Sequence, residues 1–214
     1  METLLEKARK DPDSMKARIL GAARRIFGEY GFHGTTMRMI AQDVGIDIST
    51  LHYHWGEKKE LYETVILDIN NDLQQGLIDV ETIIHGRPLA ERMAIAIDSM
   101  TDYLFAHPEV SNLILLRYFG KTRHDSRLDF KVPEFTGDIA RSMGLTPDPK
   151  QVPPVAMMEV LTVMNALHNF VSGEDFFRPM TGMTREDYIL AAKETLKFIL
   201  IPAFVQRDRM RSES

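Results

Sequence analysis

Ser49, Thr50, His52, Tyr53 and His54 place hydroxyl, imidazole and phenol groups within six consecutive positions. Such compact polar and aromatic side chains can approach a nucleic-acid groove and reach a base edge or a phosphate. Two histidines so close also raise the question of a metal. At i and i+2 on a helix their side chains diverge by roughly two hundred degrees, too far to share an ion readily. The chain has seven His and no Cys, which excludes disulfides, thiolate nucleophiles, Cys-ligated zinc and thiol redox sensing. There is no Glu-x-x-His pair, His-Glu-x-x-His run, Gly-x-Gly-x-x-Gly loop, Gly-Lys-Ser phosphate loop or Ser-centred nucleophile elbow. No catalytic residue, metal or cofactor is therefore expected, and the chain reads as a non-enzyme.

Those side chains need an element to present them. Met37, Ile40, Ala41 and Val44 recur at helical spacing and predict a short helix with one apolar face. Gly45 can take the left-handed conformation that closes it. Ile46 anchors the turn, and Asp47 carries an oxygen suited to capping a second helix over about 48–55. Two short helices around a tight glycine turn have the grammar of a helix-turn-helix DNA reader.

The segment also resembles the TetR/AcrR family of bacterial regulators. The matching residues are Gly31, Phe32, Thr35, Thr36, Ile40, Ala41, Gly45, Ile46, Ser49, Thr50, Leu51, His54 and Lys58. Two positions depart from the family pattern: His52 stands where Tyr is usual, and Trp55 where Phe is usual. The resemblance is strong over residues 14–62 and architectural beyond them. It implies an all-α fold, with an N-terminal three-helix helix-turn-helix DNA-binding domain and a C-terminal helical ligand-binding and dimerisation domain. The corresponding division is an N-terminal arm over 1–13, a DNA-binding domain over 14–60 and a ligand-binding and dimerisation domain over 61–214.

Bulk properties agree with a globular chain. Its 214 residues, 44% hydrophobic and 27% charged, suffice for a substantial core. No apolar run is long enough to cross a bilayer or to act as a signal peptide, so a cytoplasmic chain with no membrane partner is expected. The net charge of −5 is unevenly placed: residues 1–60 carry ten Lys and Arg against nine Asp and Glu, and the remainder sixteen against twenty-two. Lys7, Arg9, Lys10, Lys16, Arg18, Arg24 and Arg25 concentrate early, whereas the reading segment has only Arg38, Lys58 and Lys59. Modest nonspecific affinity for DNA follows.

Further elements follow from periodicity. Asp11-Pro12 or Ser14 can open a first long helix with a buried stripe of Ile19, Ala22, Ala23, Ile26, Phe27 and Tyr30, ending at Gly31. Another begins near Glu60 and runs toward Ile84, with Leu61, Val65, Ile69 and Leu73 on one side. Gly86-Arg87-Pro88 and Pro108 bound a helix to His107, and a strongly apolar helix covers 109–119. Pro133 and Gly137 could break the stretch 125–144. The segments from Pro154 to Val171 and from Thr184 onward are apolar around more than one side, as in a well-packed core or a subunit interface. Within the resemblance they form a four-helix dimer bundle, with Met157, Leu161, Met164, Ile189, Leu196, Ile199 and Leu200 at the interface.

For DNA contact the candidates are Thr35, Thr36, Arg38, Ile48, Ser49, Thr50, His52, Tyr53, His54 and Lys58. Each has a structural rival: either threonine could cap a helix, Arg38 could be a solvated charge, and Thr50 could pack internally. Met39, Ile40, Leu51 and Trp55 read as core. A small-molecule effector is implied by the resemblance, with Met100, Tyr103, Leu104, Ile114, Arg117, Tyr118, Phe119, Met164, Asn165 and His168 as candidate contacts. Eight Met between Met93 and Met183 would suit either a flexible apolar cavity or ordinary core gaps. Arg117, inside an apolar run, needs either an anionic ligand or an ion pair with a carboxylate such as Asp98 or Asp102. The reading is a ligand-responsive repressor that binds a palindromic double-stranded DNA operator as a homodimer. An amphipathic or hydrophobic molecule would release it by shifting the helix that begins near Glu60. A helical enzyme with a buried cavity and a protein–protein adaptor are the alternatives.

Overall fold

The computed structural model describes residues 2–119 and 132–212, with side chains for 2–117 and 135–207. Among the described residues there are eleven helices and no strand. They are α1 (Leu4–Lys10), α2 (Met15–Gly34), α3 (Met37–Val44), α4 (Ile48–Trp55), α5 (Lys58–Ile84) and α6 (Leu89–Ala106). There follow α7 (Pro108–Phe119), α8 (Val132–Ser142), α9 (Pro154–Ser172), α10 (Glu174–Thr181) and α11 (Arg185–Ser212). The chain divides into two compact units, Met1–Asp72 with Glu109–Phe130 and Leu73–Pro108 with Lys131–Ser214. Among the described residues no helix is long and apolar enough to cross a membrane.

In the first unit the starts of α1, α2 and α3 each carry a side-chain cap. Residues 4–10 of the expected N-terminal arm form a helix, closed by a reciprocal capping box in which Thr3 Oγ1 accepts from the Glu6 amide and Glu6 Oε2 from the Thr3 amide. Ser14 caps α2, and Thr36 caps α3. The α2 stripe is buried at Ile19, Ala22, Ala23, Ile26 and Phe27, but Tyr30 lies half outside it, past the last turn that faces the core. At Gly31 the backbone leaves the helix (φ 66°), and Thr35 ends the element. Leu61, Val65 and Ile69 of α5 are fully buried in the same unit. Gly28 allows a close approach: a Cβ there would lie 2.8 Å from the Glu109 Cα.

A cluster of charges joins α1, α2 and α5. Arg24 donates to Asp68 Oδ2 at 2.7 Å and Asp72 Oδ2 at 2.6 Å. Arg9 donates to Asp68 Oδ1 at 2.7 Å and Asp72 Oδ1 at 2.7 Å. Glu109 lies 3.3 Å from the other Arg24 nitrogen. Asp68 is only 6% exposed, so its charge depends on those partners. Burial alone would lower the Arg24 pKa. Its bond with Asp72 and the charges of Asp68 and Asp72 outweigh burial and push it above the usual arginine value.

The second unit is organised by α11. Tyr188, Ala192, Leu196, Leu200 and Phe204 recur every four residues and are all buried. Three polar pairs set α11 antiparallel to α6: Lys197–Asp98 at 3.1 Å, Lys193–Asp102 at 2.5 Å, and Arg185 donating to the Phe105 carbonyl at 2.9 Å. The opposite flank runs antiparallel to α9 through Tyr188 donating to the Phe170 carbonyl and through the Arg207–Glu159 pair. Helix α8 passes through Gly137 unbroken; that glycine leaves room for the Pro149 carbonyl, 2.2 Å from where a Cβ would stand. Ser142 ties α8 to Glu81 in the second half of α5 at 2.6 Å. Helix α10, absent from the periodicity reading, buries none of its residues.

His168 on α9 is buried, and burial pulls its pKa down to about 4. The folded chain keeps the ring neutral where an unfolded chain, titrating near 6.5, has begun to protonate it. Stability should therefore be complete above pH 6.5 and decline as pH falls toward 4, by about 3 kcal/mol over the whole window. Urea unfolding at pH 7 and pH 4.5 checks this: the loss should shrink in His168→Gln, and an equal loss in both proteins would contradict it.

Candidate nucleic-acid interface

Helix α3 lies against α2 through Met37, Ile40, Ala41 and Val44, all buried. Gly45 closes it in the left-handed conformation (φ 77°), and its amide and that of Ile46 both donate to the Ala41 carbonyl at 3.0 Å. That geometry starts α4 only three residues later. Leu51 and Trp55 pin α4 inward, fully buried. The larger ring at 55 uses its extra atoms: the indole Nε1 donates to the Lys16 carbonyl at 3.2 Å. Arg18 donates to the Val44 carbonyl at 3.0 Å, which fixes the end of α3. Ile40 is buried as expected, whereas Met39 is only half-buried.

The candidate residues then divide by direction. Tyr53 is 85% exposed, the most open large side chain of the unit, and its ring meets His54 edge-on at 5.3 Å. Arg38, Ile48 and Ser49 are exposed, and Thr36 is exposed while capping α3. Thr50, His52 and His54 are half-buried. Lys16 Nζ lies 3.2 Å from His54 Nδ1, and donation to it puts the ring proton on Nε2. Burial and the Lys16 charge lower the His54 pKa, so the ring is neutral near pH 7. His52 Nδ1 lies 2.9 Å from the Gly56 carbonyl and must carry a proton to bond it, with Glu57 Oε1 3.7 Å from the same nitrogen.

One candidate is corrected, and a second, half-buried, is also tied inward. Thr35 is 0% exposed, and its hydroxyl donates to the Gly31 carbonyl at 2.8 Å, so it faces the core and not a duplex. Lys58 is spent inward as well. Its Nζ donates to the Phe32 and Thr35 carbonyls at 2.9 and 3.0 Å and sits 4.4 Å from the centre of the Phe32 ring. The ammonium serves as a peg for the α2–α3 turn. Asp47 makes no capping bond to α4, contrary to the expectation from its type.

The remaining candidates lie elsewhere. Met100, Tyr103, Leu104, Met164 and His168 belong to the second unit, with Leu104 and His168 buried and the others intermediate. Asn165 is exposed on α9 and does not face that interior. Ile114 and Arg117 belong to the first unit. Arg117 donates to the Tyr62 hydroxyl at 3.4 Å, and Asp98 and Asp102 pair with lysines of α11. The side chains of Tyr118 and Phe119 lie outside the described residues. Of the interface candidates, Leu196 and Leu200 turn inward to the protomer's own core, Leu161, Met164 and Ile189 are half-buried, and Met157 and Ile199 are exposed. Their most exposed apolar neighbours on α9 and α11 are Val155, Met158, Leu190 and Phe198, the last 80% exposed.

Residues 19–65 match the sequence model described as bacterial regulatory proteins, tetR family. Over 102 residues the chain is 30% identical to the HTH-type transcriptional regulator UidR of Escherichia coli (strain K12), covering 48% of this chain and 50% of that one. Over 49 residues it is 43% identical to IcaR, the biofilm operon icaADBC HTH-type negative transcriptional regulator of Staphylococcus aureus (strain Newman), covering 23% and 26%. The chain thus spans about half or less of these curated relatives. The solved transcriptional regulator FadR from Bacillus subtilis in complex with stearoyl-CoA superposes with a TM-score of 0.55 at 15% identity, over 86% of this chain and 96% of that one. That likeness establishes the shared fold.

The inward role of Thr35 has a measurable consequence. Thr35→Val removes the hydroxyl that donates to the Gly31 and Ile26 carbonyls while keeping the shape, and should cost about 1–2 kcal/mol of stability. Thermal unfolding measures this; an unchanged Tm would return Thr35 to the exposed face.

Proposed function

This chain belongs to the tetR family of bacterial regulators, and we propose that it is a transcriptional repressor that reads a palindromic operator as a homodimer. The observation that carries the reading is the division of labour on α4. Leu51 and Trp55 fix the helix, and Ile48, Ser49 and Tyr53 are exposed on it among the described residues. A helix held in this way offers a polar edge to a major groove, with Tyr53 able to meet a base or a phosphate and Arg38 able to meet either. Thr36, Thr50 and the Nε2–H of His54 flank that edge. The protein acts in the cytoplasm, where its operator lies.

A dimer supplies the second reader. The exposed residues Val155 and Met158 of α9 and Phe198 and Ile199 of α11 leave apolar surface uncovered in the protomer. A two-fold partner would cover that apolar surface with its own copy and place two α4 helices on a symmetric site. The effector is a small, largely apolar molecule held by the second unit, with Met100, Tyr103, Leu104, Met164 and the neutral His168 as its contacts. The stearoyl-CoA in the FadR structure supports a ligand of apolar character for this fold. Helix α5 contributes residues to both units and is the path by which the effector acts on the reader. A coupling of about 1–3 kcal/mol would weaken operator binding some 5–150-fold.

Selection of bound fragments from random duplex DNA by the purified full chain tests the reading. The wild type should enrich a palindromic sequence. Tyr53→Ala, at an exposed position, should keep its Tm and lose about tenfold or more in affinity for it. Phe198→Glu should sediment as a monomer and lose tight binding. Enrichment of no sequence by the wild type, or undiminished binding by Tyr53→Ala, would contradict the proposal.

A further inference from the structure

Asp47 starts α4 without capping it, as Pro88, Pro153 and Gly173 do for α6, α9 and α10, but unlike them it has a side-chain acceptor to offer. Thr3, Ser14, Thr36 and Thr184 each turn a hydroxyl back onto the amide of their own helix. Asp47 stands at the corresponding position of α4 with extended backbone (φ −71°, ψ 148°), and its carboxylate makes no such bond. It is exposed, next to the exposed Ile48 and Ser49. Among the described residues no cation is paired with it: Lys58 is bonded to the Phe32 and Thr35 carbonyls, Arg25 is paired with Asp43 at 2.7 Å, and Arg18 is bonded to the Val44 carbonyl. An unpaired carboxylate therefore leads the edge of α4 that meets DNA under the proposed function, on which this inference rests.

A carboxylate among phosphates is repelled by every sequence alike, and only a donor on a base edge can offset that repulsion. The major groove has two such donors, the N4 amino group of cytosine and the N6 amino group of adenine. Beside adenine N6 lies N7, an acceptor, which repels a second carboxylate oxygen and suits an amide instead. Cytosine presents its amino group without an acceptor of its own at the groove edge. We infer that Asp47 is a specificity-determining residue that accepts a hydrogen bond from cytosine N4 in each half-site and penalises DNA lacking that base. Its negative charge lowers affinity for unrelated DNA, and the selectivity of the reader comes partly from that exclusion.

The test compares random-duplex selections by the full-length wild type, Asp47→Asn and Asp47→Ala, with thermal unfolding of each. Because the side chain bonds nothing in the fold, all three should melt alike. The wild type should prefer cytosine at one position of each half-site by about five- to tenfold. Asp47→Asn should move that preference to adenine. Asp47→Ala should lose preference there alone and bind unrelated DNA several-fold more tightly. Variants that retain the wild-type cytosine preference overturn the role of Asp47 while leaving the DNA-reading proposal standing. A wild type that enriches nothing overturns that proposal and this inference together.

Discussion

The first unit depends on two aspartates one helical turn apart, Asp68 and Asp72, each bridging two arginines. Arg9 arrives from α1 and Arg24 from α2, so three helices distant in sequence meet at one charge cluster. Such a cluster gains little net stability over an apolar core, because desolvation offsets most of the attraction. Its effect is on geometry. Bidentate contacts have one good arrangement, and a slip of α5 along α2 would leave Asp68 buried without a partner. The start of α5, and the reader ahead of it, are thereby held in one register.

Around this joint the reader is assembled by side chains that bond backbone carbonyls. Trp55, Arg18, Lys58 and Thr35 each close a carbonyl at a turn or helix end. They keep α3 and α4 rigid without using the outer edge of α4. That separation gives the unit its chemical meaning: Trp55, Arg18, Lys58 and Thr35 bond inward, and Tyr53, Arg38 and Asp47 are exposed.

Much of this was legible in the residues. Apolar spacing located α2, α3, α4 and α5, and the glycine at 45 marked the turn, while a cap from either Thr35 or Thr36 was legible without saying which. A Thr-x-x-Glu pair at Thr3 and Glu6 also announces α1, a local signal that the division into an arm passed over. What stayed hidden is long-range. Thr35 and Thr36 are identical in type, yet one hydroxyl bonds Gly31 inside and the other caps a helix outside. Arg24 and Arg25 are neighbours, yet one is buried on carboxylates 44 and 48 residues away while the other pairs at the surface. Neither outcome is written in local spacing. The same limit explains α11: its stripe at every fourth residue fixes which side is core only once α6 and α9 are in place, so Leu196 and Leu200 turn inward while Phe198 and Ile199 stay out.

The central claim is that the Asp68 carboxylate holds the DNA-reading unit in its register, and equilibrium denaturation of Asp68→Ala measures it most directly. Removing that partner takes from the buried Arg24 one of its two hydrogen-bonded carboxylates and leaves it Asp72, and a loss of about 1.5–3 kcal/mol is expected. A midpoint within experimental error of the wild type would show that the helices hold their register without the charge cluster, and would contradict the account.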